Sequence, residues 1–443
     1  TNYLSEQLNC PRYSGASSLV KVIEKSENWE IGEDTECDEK TAETIRERLL
    51  GQVFAVAAQI VEEEICSIED VDRGAKVGLR WAEGPFEIAN KIGIEQTIKM
   101  ATSYAELAGF QLPKWLKEKN EIFEFNYIDI EINDNIAKIK INRPEAMNAL
   151  NESVVKQLGS ALDNLNSKEN IDTIVLEGAG KAFVAGADVK FFVDKINEDS
   201  TKDIYDFTAY GHDVLNKLEK SKKTTIALTT GLALGGGLEL AMSCDYRVGT
   251  RRSQFRFPET SIGIFPGLGG TQRTPRICGI EAARYAVLAG NFLDSKTASA
   301  LGILTHLVDP SDISKTIMEI SVEGKPVNKY PGMPRDENNP VSLFAMNFYK
   351  NENMESIMSG EIPEGFEKED KTVIRQMKSL SFTAPIALKI ANQLLNDAIA
   401  TGDDLDSGLA LELAELDTIF ASKDALEGLS ALIEGRRPKY IND

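Results

Sequence analysis

The chain has 443 residues, 42% of them apolar, with 49 Lys and Arg against 70 Asp and Glu, a formal net charge of −21, two histidines and five cysteines. At about 150 residues per domain this is two or three domains of chain, long enough to bury a substantial core. So negative a field does not hold nucleic acid or an anionic membrane surface, and any anionic ligand must be met by local donors. With no C-x-x-C and only His212 and His306, a disulfide framework, a thiolate zinc site and a His-rich metal site are excluded, and a Ser-His-Asp triad is disfavoured. The best apolar run, Val53 to Val61, is broken by Gln59 and falls short of the roughly 20 residues that span a bilayer. No signal-peptide pattern opens the chain, so a soluble, cytoplasmic protein is expected. A first residue Thr1 rather than Met fits either a processed chain or part of a longer polypeptide.

In chain order, residues 1–37 predict one helix around Ser17 to Ser26 and then a solvated acidic connection, Glu30 to Glu39. From Asp38 to Phe110 the period is helical. Ile45, Leu49, Val53, Val56 and Ile60 predict one buried face, and Ser67-Ile68-Glu69-Asp70 reads as a capping box for the next helix. Gly84-Pro85 stops and restarts the chain. The joint runs from Pro113 to Asn126, charged but carrying two buried-type aromatics, Trp115 and Phe123.

Beyond it the period changes to two. Ile128, Ile130 and Ile132, then Ala137, Ile139 and Ile141, alternate around Asn133-Asp134-Asn135 and predict a hairpin. An amphipathic helix over Asn151 to Leu165 follows, then buried strands at Thr173 to Leu176, Thr224 to Thr229 and Asp245 to Val248. The interleaving predicts an α/β domain with largely parallel sheets. Residues 321–371, with Pro326, Pro331, Pro334, Pro340 and Pro363, read as an insertion on that domain. Helical patterning resumes at Val373, through Ile386 to Ala398 and Leu405 to Phe420. The expected division is 1–120 and 121–443.

Neither G-x-G-x-x-G nor G-x-x-x-x-G-K-[ST] occurs, which disfavours those two modes of nucleotide binding. Two small-residue turns stand out instead: Lys181-Ala182-Phe183-Val184-Ala185-Gly186-Ala187-Asp188, and Gly231 to Glu239, which contains Gly235-Gly236-Gly237. Glycines between a strand and a helix bare amide N–H groups at the positive end of the helix dipole, and two such N–H groups could form an oxyanion hole. Close packing of strand on helix would use the same residues. Glu239 and Glu259 could polarise one water in a dry site, although most carboxylates among 70 acidic residues are simply solvated.

Together these blocks resemble the enoyl-CoA hydratase, or crotonase, family. They are Asn142-Arg143-Pro144 with Met147-Asn148-Ala149-Leu150, the Lys181 to Asp188 turn, Ala233 to Gly237 with Glu239, Phe257-Pro258-Glu259, and Gly263 to Arg273. The resemblance covers about residues 124–320 and 372–443. It implies a crotonase (ClpP/crotonase-like) spiral of stacked sheets and a thioester carbonyl held by the N–H groups of Ala187 and Gly236. It also implies reversible syn addition of water to a trans-2-enoyl-CoA, of crotonyl-CoA type, in fatty acid metabolism. Glu239 would activate the water, Glu259 would deliver the proton to Cα, and Gly270 would offer a further N–H near that water. Lys181, Ala185, Lys190 and Lys439 are the implied CoA contacts, with Arg436 and Arg437 beside the last. The alternatives are an enoyl-CoA isomerase and a non-catalytic acyl-CoA-binding or docking module. No metal and no redox cofactor is expected, and a homotrimer or hexamer is. His212 and His306 match no catalytic position of the family and are expected at the surface or in packing.

The first half is similar to the helical C-terminal domain of 3-hydroxyacyl-CoA dehydrogenases. The likeness rests on Arg48-Leu49-Leu50, Glu62-Glu63, Ile68 to Arg73, Gly78-Leu79 and Gly84-Pro85-Phe86, with Tyr3 to Trp29 as the tail of a preceding copy. That family's Asn before Arg-Leu-Leu is Glu47 here. No dehydrogenase activity is expected, since nothing in the sequence resembles an NAD-binding domain. The arrangement looks like the C-terminal portion of a fused dehydrogenase and hydratase, whose NAD-binding domain would be an associated partner.

Overall fold

The structure is a computed structural model describing residues 37–443; the expected helix at Ser17 to Ser26, the tail Tyr3 to Trp29 and most of the acidic connection lie outside the described residues. The chain divides into two compact units between Glu124 and Phe125, four residues beyond the boundary expected from the sequence.

The described part of the first unit is helical: α1 (Glu39–Glu62), α2 (Ile68–Arg73), α3 (Pro85–Ile92) and α4 (Ile94–Ala108). Asp38 and Ser67 cap α1 and α2 by accepting from Thr41 N and Asp70 N at 3.0 and 3.2 Å. Buried Asp72 caps α3 from a distance: Oδ1 takes the Phe86 amide and Oδ2 the Glu87 amide, each at 2.9 Å. The buried rings of Phe86 and Phe123 meet with centroids 4.8 Å apart. The buried face of α1 differs from the expected one. It consists of Gly51, Phe54, Ala55, Ala57 and Ala58, whereas Ile45 and Leu49 are exposed. Backbone approach decides this, because a methyl group on Gly51 would sit 2.4 Å from Met100 O of α4. Small residues win the contact, and Val53, Val56 and Ile60 line an open groove.

The second unit carries ten strands: β1 (Ile128–Asn133), β2 (Ile136–Ile141), β3 (Thr173–Gly178), β4 (Ala182–Ala185), β5 (Thr224–Thr229), β6 (Leu232–Leu234), β7 (Tyr246–Gly249), β8 (Gln254–Arg256), β9 (Leu293–Asp294) and β10 (His306–Leu307). One sheet runs β1-β2-β3-β5-β7-β10, parallel except for the edge hairpin; the other runs β4-β6-β8-β9, with β4, β6 and β8 parallel. The helices used below are α5 (Glu152–Ser167), α6 (Val189–Asn197), α7 (Thr201–Glu219), α8 (Gly236–Ser243), α9 (Gly270–Cys278), α10 (Ile280–Val287), α11 (Pro385–Ala400), α12 (Leu405–Ala414), α13 (Leu416–Phe420) and α14 (Lys423–Glu434). Asn151 caps α5 through Val154 N at 2.9 Å, and Val154, Val155, Leu158, Leu162 and Leu165 bury the stripe that the sequence expected.

Residues 321–371, expected as an insertion on the α/β domain, are packed into it. Ile317 and Ile320, on the helix leading into this stretch, cover one face of the large sheet against Val175, Ile226 and Val248. Lys325 bridges to Asp245, and Lys329 and Tyr330 both reach Glu219. Phe348 and Tyr349 are wholly buried, and the Tyr349 carbonyl accepts from buried Arg284. Of its five prolines Pro340 opens a helix, capped by Asn339, while Pro326, Pro331, Pro334 and Pro363 lie in irregular backbone.

Candidate active site

The short sheet sets the geometry. In the parallel register Ala185 stands opposite Leu234, so β4 and β6 end side by side and release the turns Gly186-Ala187 and Gly235-Gly236 at the same edge. Leu150 bridges across the first turn: its N–H donates to Gly186 O and its carbonyl accepts from Asp188 N, both at 2.9 Å, so the Ala187 N–H is passed over. Gly236 opens α8, where the first N–H groups have no partner within the helix. A methyl group on Gly236 would lie 3.8 Å from Ala187 N, which puts the two amides at one spot. Gly235 is held to glycine by its φ of +47°, and a Cβ there would sit 2.2 Å from Glu259 Oε1, displacing that carboxyl.

The remaining motif residues brace this edge. Asn148 is wholly buried; its amide donates to the carbonyls of Ala179, Ala182 and Phe183, and its oxygen accepts from Arg143 N. The Arg143 guanidinium reaches Asp188, directly after the exposed amide, at 3.2 Å.

Glu239 projects from α8 and is buried. Its Oε1 accepts from Leu268 N and Gly270 N, both at 2.7 Å. Glu259 lies on a single 3-10 turn after β8, also buried, and its Oε2 has no hydrogen-bond partner among the described residues. Burial pushes both carboxyls up. Glu239 stands well above the usual range through desolvation and then the nearby charges of Glu259 and Glu412, and Glu259 is raised to about 8. Both line a cavity of about 290 Å³ together with Ala187 and Gly236. Its other walls are mostly apolar, with Val189 and Phe192 of α6, Phe207 of α7, Leu416, Ile419 and Phe420 of α13, and Leu429 and Leu432 of α14, beside two polar side chains, Thr208 and Arg256. Phe192 and Phe420 stack with centroids 5.4 Å apart.

Of the sequence-derived candidates, the structure therefore brings together Glu239, Glu259, Ala187, Gly236 and, through its amide, Gly270. Ala185 lines the same cavity. Lys181, Lys190 and Lys439 are exposed and outside its lining; Lys439 offers only its backbone N–H, to Glu427 at 2.7 Å, and Arg436 pairs with Glu427. His306 is half-buried against the Tyr246 ring. His212 is buried beside the site, its Nε2 2.7 Å from Gly267 O. Sequence reasoning missed Glu412, which is fully buried on α12 behind the turn 267–271. One signal was available: Glu412 falls in register with Leu409 and Leu416, an acid on the stripe that faces inward. Among the described residues no group of three or more His, Cys, Asp or Glu side chains is arranged to hold a metal, and no helix is long and apolar enough to cross a membrane.

Residues 136–442 match the family described as Enoyl-CoA hydratase/isomerase, and residues 45–127 match the 3-hydroxyacyl-CoA dehydrogenase, C-terminal domain. The chain is 29% identical over 315 residues to the short-chain-enoyl-CoA hydratase of Clostridium acetobutylicum, covering 71% of this chain and 97% of that protein. It is 27% identical to the crotonyl-CoA hydratase of Syntrophomonas wolfei, over 72% of this chain and 99% of that one. The crystal structure of an enoyl-CoA hydratase from Rhodobacter sphaeroides superposes with a TM-score of 0.61 at 21% identity, over 72% of this chain and 93% of that one, which establishes the fold.

Proposed function

This chain belongs to the enoyl-CoA hydratase/isomerase family, and from that membership and the site geometry we propose that it is a hydro-lyase adding water reversibly to a short trans-2-enoyl-CoA. The observation that carries the reading is the pair of buried carboxyls facing one apolar cavity beside two uncommitted amides. The thioester oxygen sits between the N–H groups of Ala187 and Gly236, which stabilise the enolate-like charge that develops as water adds. Two amide donors on Glu239 Oε1 hold negative charge there, while Glu259 Oε2 has no donor. Burial and like-charged neighbours raise Glu239 as well as Glu259, but these two donors stabilise the Glu239 anion and Glu259 Oε2 has none, so the charge is assigned to Glu239 and the proton to Glu259. Glu239 takes a proton from the water as its oxygen bonds to Cβ, and Glu259 gives its proton to Cα. The Cα=Cβ double bond becomes single, and one proton has passed to Glu239 and one from Glu259. Reprotonation of Glu259 and release from Glu239 complete the cycle.

A short substrate is supported by the relatives named above and by the size of the cavity, about 290 Å³, which the stacked Phe192 and Phe420 help to line. CoA is the carrier of the substrate, and no redox or metal cofactor takes part in these steps. Lys181 and Lys190, beside the first turn, are the cations in reach of its phosphates, and a trimer or hexamer in which a neighbouring copy adds Lys439 belongs to the same reading. The test is crotonyl-CoA in buffer with the product identified by mass. A gain of one water giving 3-hydroxybutyryl-CoA supports the proposal; an isomer alone, or bound and unchanged ester, overturns it.

A further inference from the structure

The hydration steps use Glu239 and Glu259 but leave a third buried carboxylate, with a histidine against it, unused. Glu412 Oε1 accepts from Gly269 N at 2.6 Å, and its Oε2 accepts from the Thr271 hydroxyl. His212 Nε2 lies 2.7 Å from Gly267 O and 3.3 Å from Glu412 Oε1. A carbonyl only accepts, so Nε2 carries the proton. Along five consecutive residues, hydrogen-bonding groups are therefore taken from alternate sides: Gly267 C=O by His212, Leu268 N–H by Glu239, Gly269 N–H by Glu412, Gly270 N–H by Glu239 and the Thr271 hydroxyl by Glu412. Rotation of a peptide in this turn that frees Glu412 also withdraws the two amides from Glu239.

We propose that Glu412 and His212 are positioning residues, clamping the 267–271 turn from behind so that its amides hold Glu239 Oε1 and leave Oε2 to work on water. The inference rests on the role given to Glu239 above. The charged or titratable groups around Glu239 and Glu259 are these two carboxyls themselves, Glu412 from α12, His212 from α7 and Arg256 of β8, which lines the same cavity, with Arg273 of α9 bonded to Leu268 O at 3.1 Å. Removing the Glu412 charge while keeping its hydrogen bonds therefore relieves both catalytic carboxyls of a negative neighbour.

The test compares Glu412→Ala, Glu412→Gln, His212→Phe and His212→Gln in the full chain. It reads kcat, KM and the pH profile with crotonyl-CoA, and amide hydrogen exchange in the peptide spanning 266–272. Glu412→Ala is expected to lower kcat about 100-fold with KM changed less than about threefold, since a displaced catalytic group is lost without touching the bound ester. The amides of Leu268, Gly269 and Gly270 exchange faster in that variant. Glu412→Gln still accepts from Gly269 and can donate to Thr271, so it recovers most of kcat, and both limbs of its pH profile move to lower pH. His212→Gln, which keeps a donor for Gly267 O, recovers activity that His212→Phe loses. Wild-type kcat and exchange in Glu412→Ala would overturn the clamp. So would a Glu412→Gln variant as slow as Glu412→Ala with unmoved pH limbs, which would mark Glu412 as a packing residue only. Absence of hydration by the wild-type chain would refute the proposed function instead, and the exchange of the 266–272 amides still decides the clamp.

Discussion

Replacing Gly235 by alanine puts a methyl group where the site has no room. The backbone there has φ +47° and ψ −123°, a conformation essentially reserved for glycine, which costs about 1–3 kcal/mol when a side chain is forced into it. The new Cβ would stand 2.2 Å from Glu259 Oε1, so the carboxyl must retreat by at least about 1.2 Å to reach ordinary contact at 3.4 Å, and a displacement of about 1 Å costs about 100-fold in rate. Stability and activity should then part company. In a unit as large as Phe125–Asp443, about 2 kcal/mol lowers Tm by only about 3 °C, because unfolding entropy is about 2.1 cal/mol/K per residue. Gly324 supplies the control: its φ is +82° and nothing lies within 4 Å of where its Cβ would be. Melting curves and steady-state kinetics with crotonyl-CoA are to be compared for both variants. The expected result is a similar small Tm loss in each, with kcat falling about 100-fold only in Gly235→Ala. Equal kcat in the two variants would refute the reasoning that Glu259 works from this position.

Two further outcomes follow from the units taken separately. Every residue lining the cavity lies between Met147 and Leu432, so the segment 125–443 produced alone should hydrate crotonyl-CoA with kcat near that of the full chain, and a well-folded but inactive segment would count against this. In the first unit, burial pushes the Asp72 carboxyl up to about 6. A carboxyl raised on folding contributes stability that is fully present below about pH 4 and is lost as pH rises through about 6. Hydrogen exchange of α3 in the full chain should therefore slow between pH 6.5 and pH 4.5, after correction for the intrinsic rate, and this pH dependence should vanish in Asp72→Ala. An unchanged dependence in that variant would assign it to another group.

The parts of the site that the sequence could announce are those where a residue type is forced. Gly235 and Gly236 are legible because a tight turn beside a carboxyl admits nothing larger, and Asn148 because one buried amide must satisfy three carbonyls. The inner strands β3, β5 and β7 of the large sheet are six, six and four residues long with largely apolar runs, and they are placed within a residue or two of expectation, whereas the two-residue β10 was not legible. The strands of the small sheet have two to four residues, too few for a period to register, although they set the position of both turns. The face of α1 was misread because hydrophobicity ranks Ile45 and Leu49 above Gly51, whereas backbone approach ranks them the other way. How tightly 321–371 packs was not legible, because its anchors are single residues, Lys325, Lys329, Tyr330 and Tyr349, whose partners Asp245, Glu219 and Arg284 lie far away in the chain. Glu412 was passed over as one acid among 70; its place on an inward stripe is a faint signal, and its partners, drawn from α7 and from the turn before α9, are what give it a role.

The most direct test of the central claim follows the loss of enone absorbance of crotonyl-CoA with the wild-type chain and with Glu239→Gln and Glu259→Gln, alongside binding of the ester to each. The account expects water addition by the wild type and a fall in kcat of at least about 100-fold in both variants, the range lost with a general acid or base, with ester binding retained. Hydration by either variant within a few-fold of wild type would contradict it, because each carboxyl has been given a step that the other cannot perform.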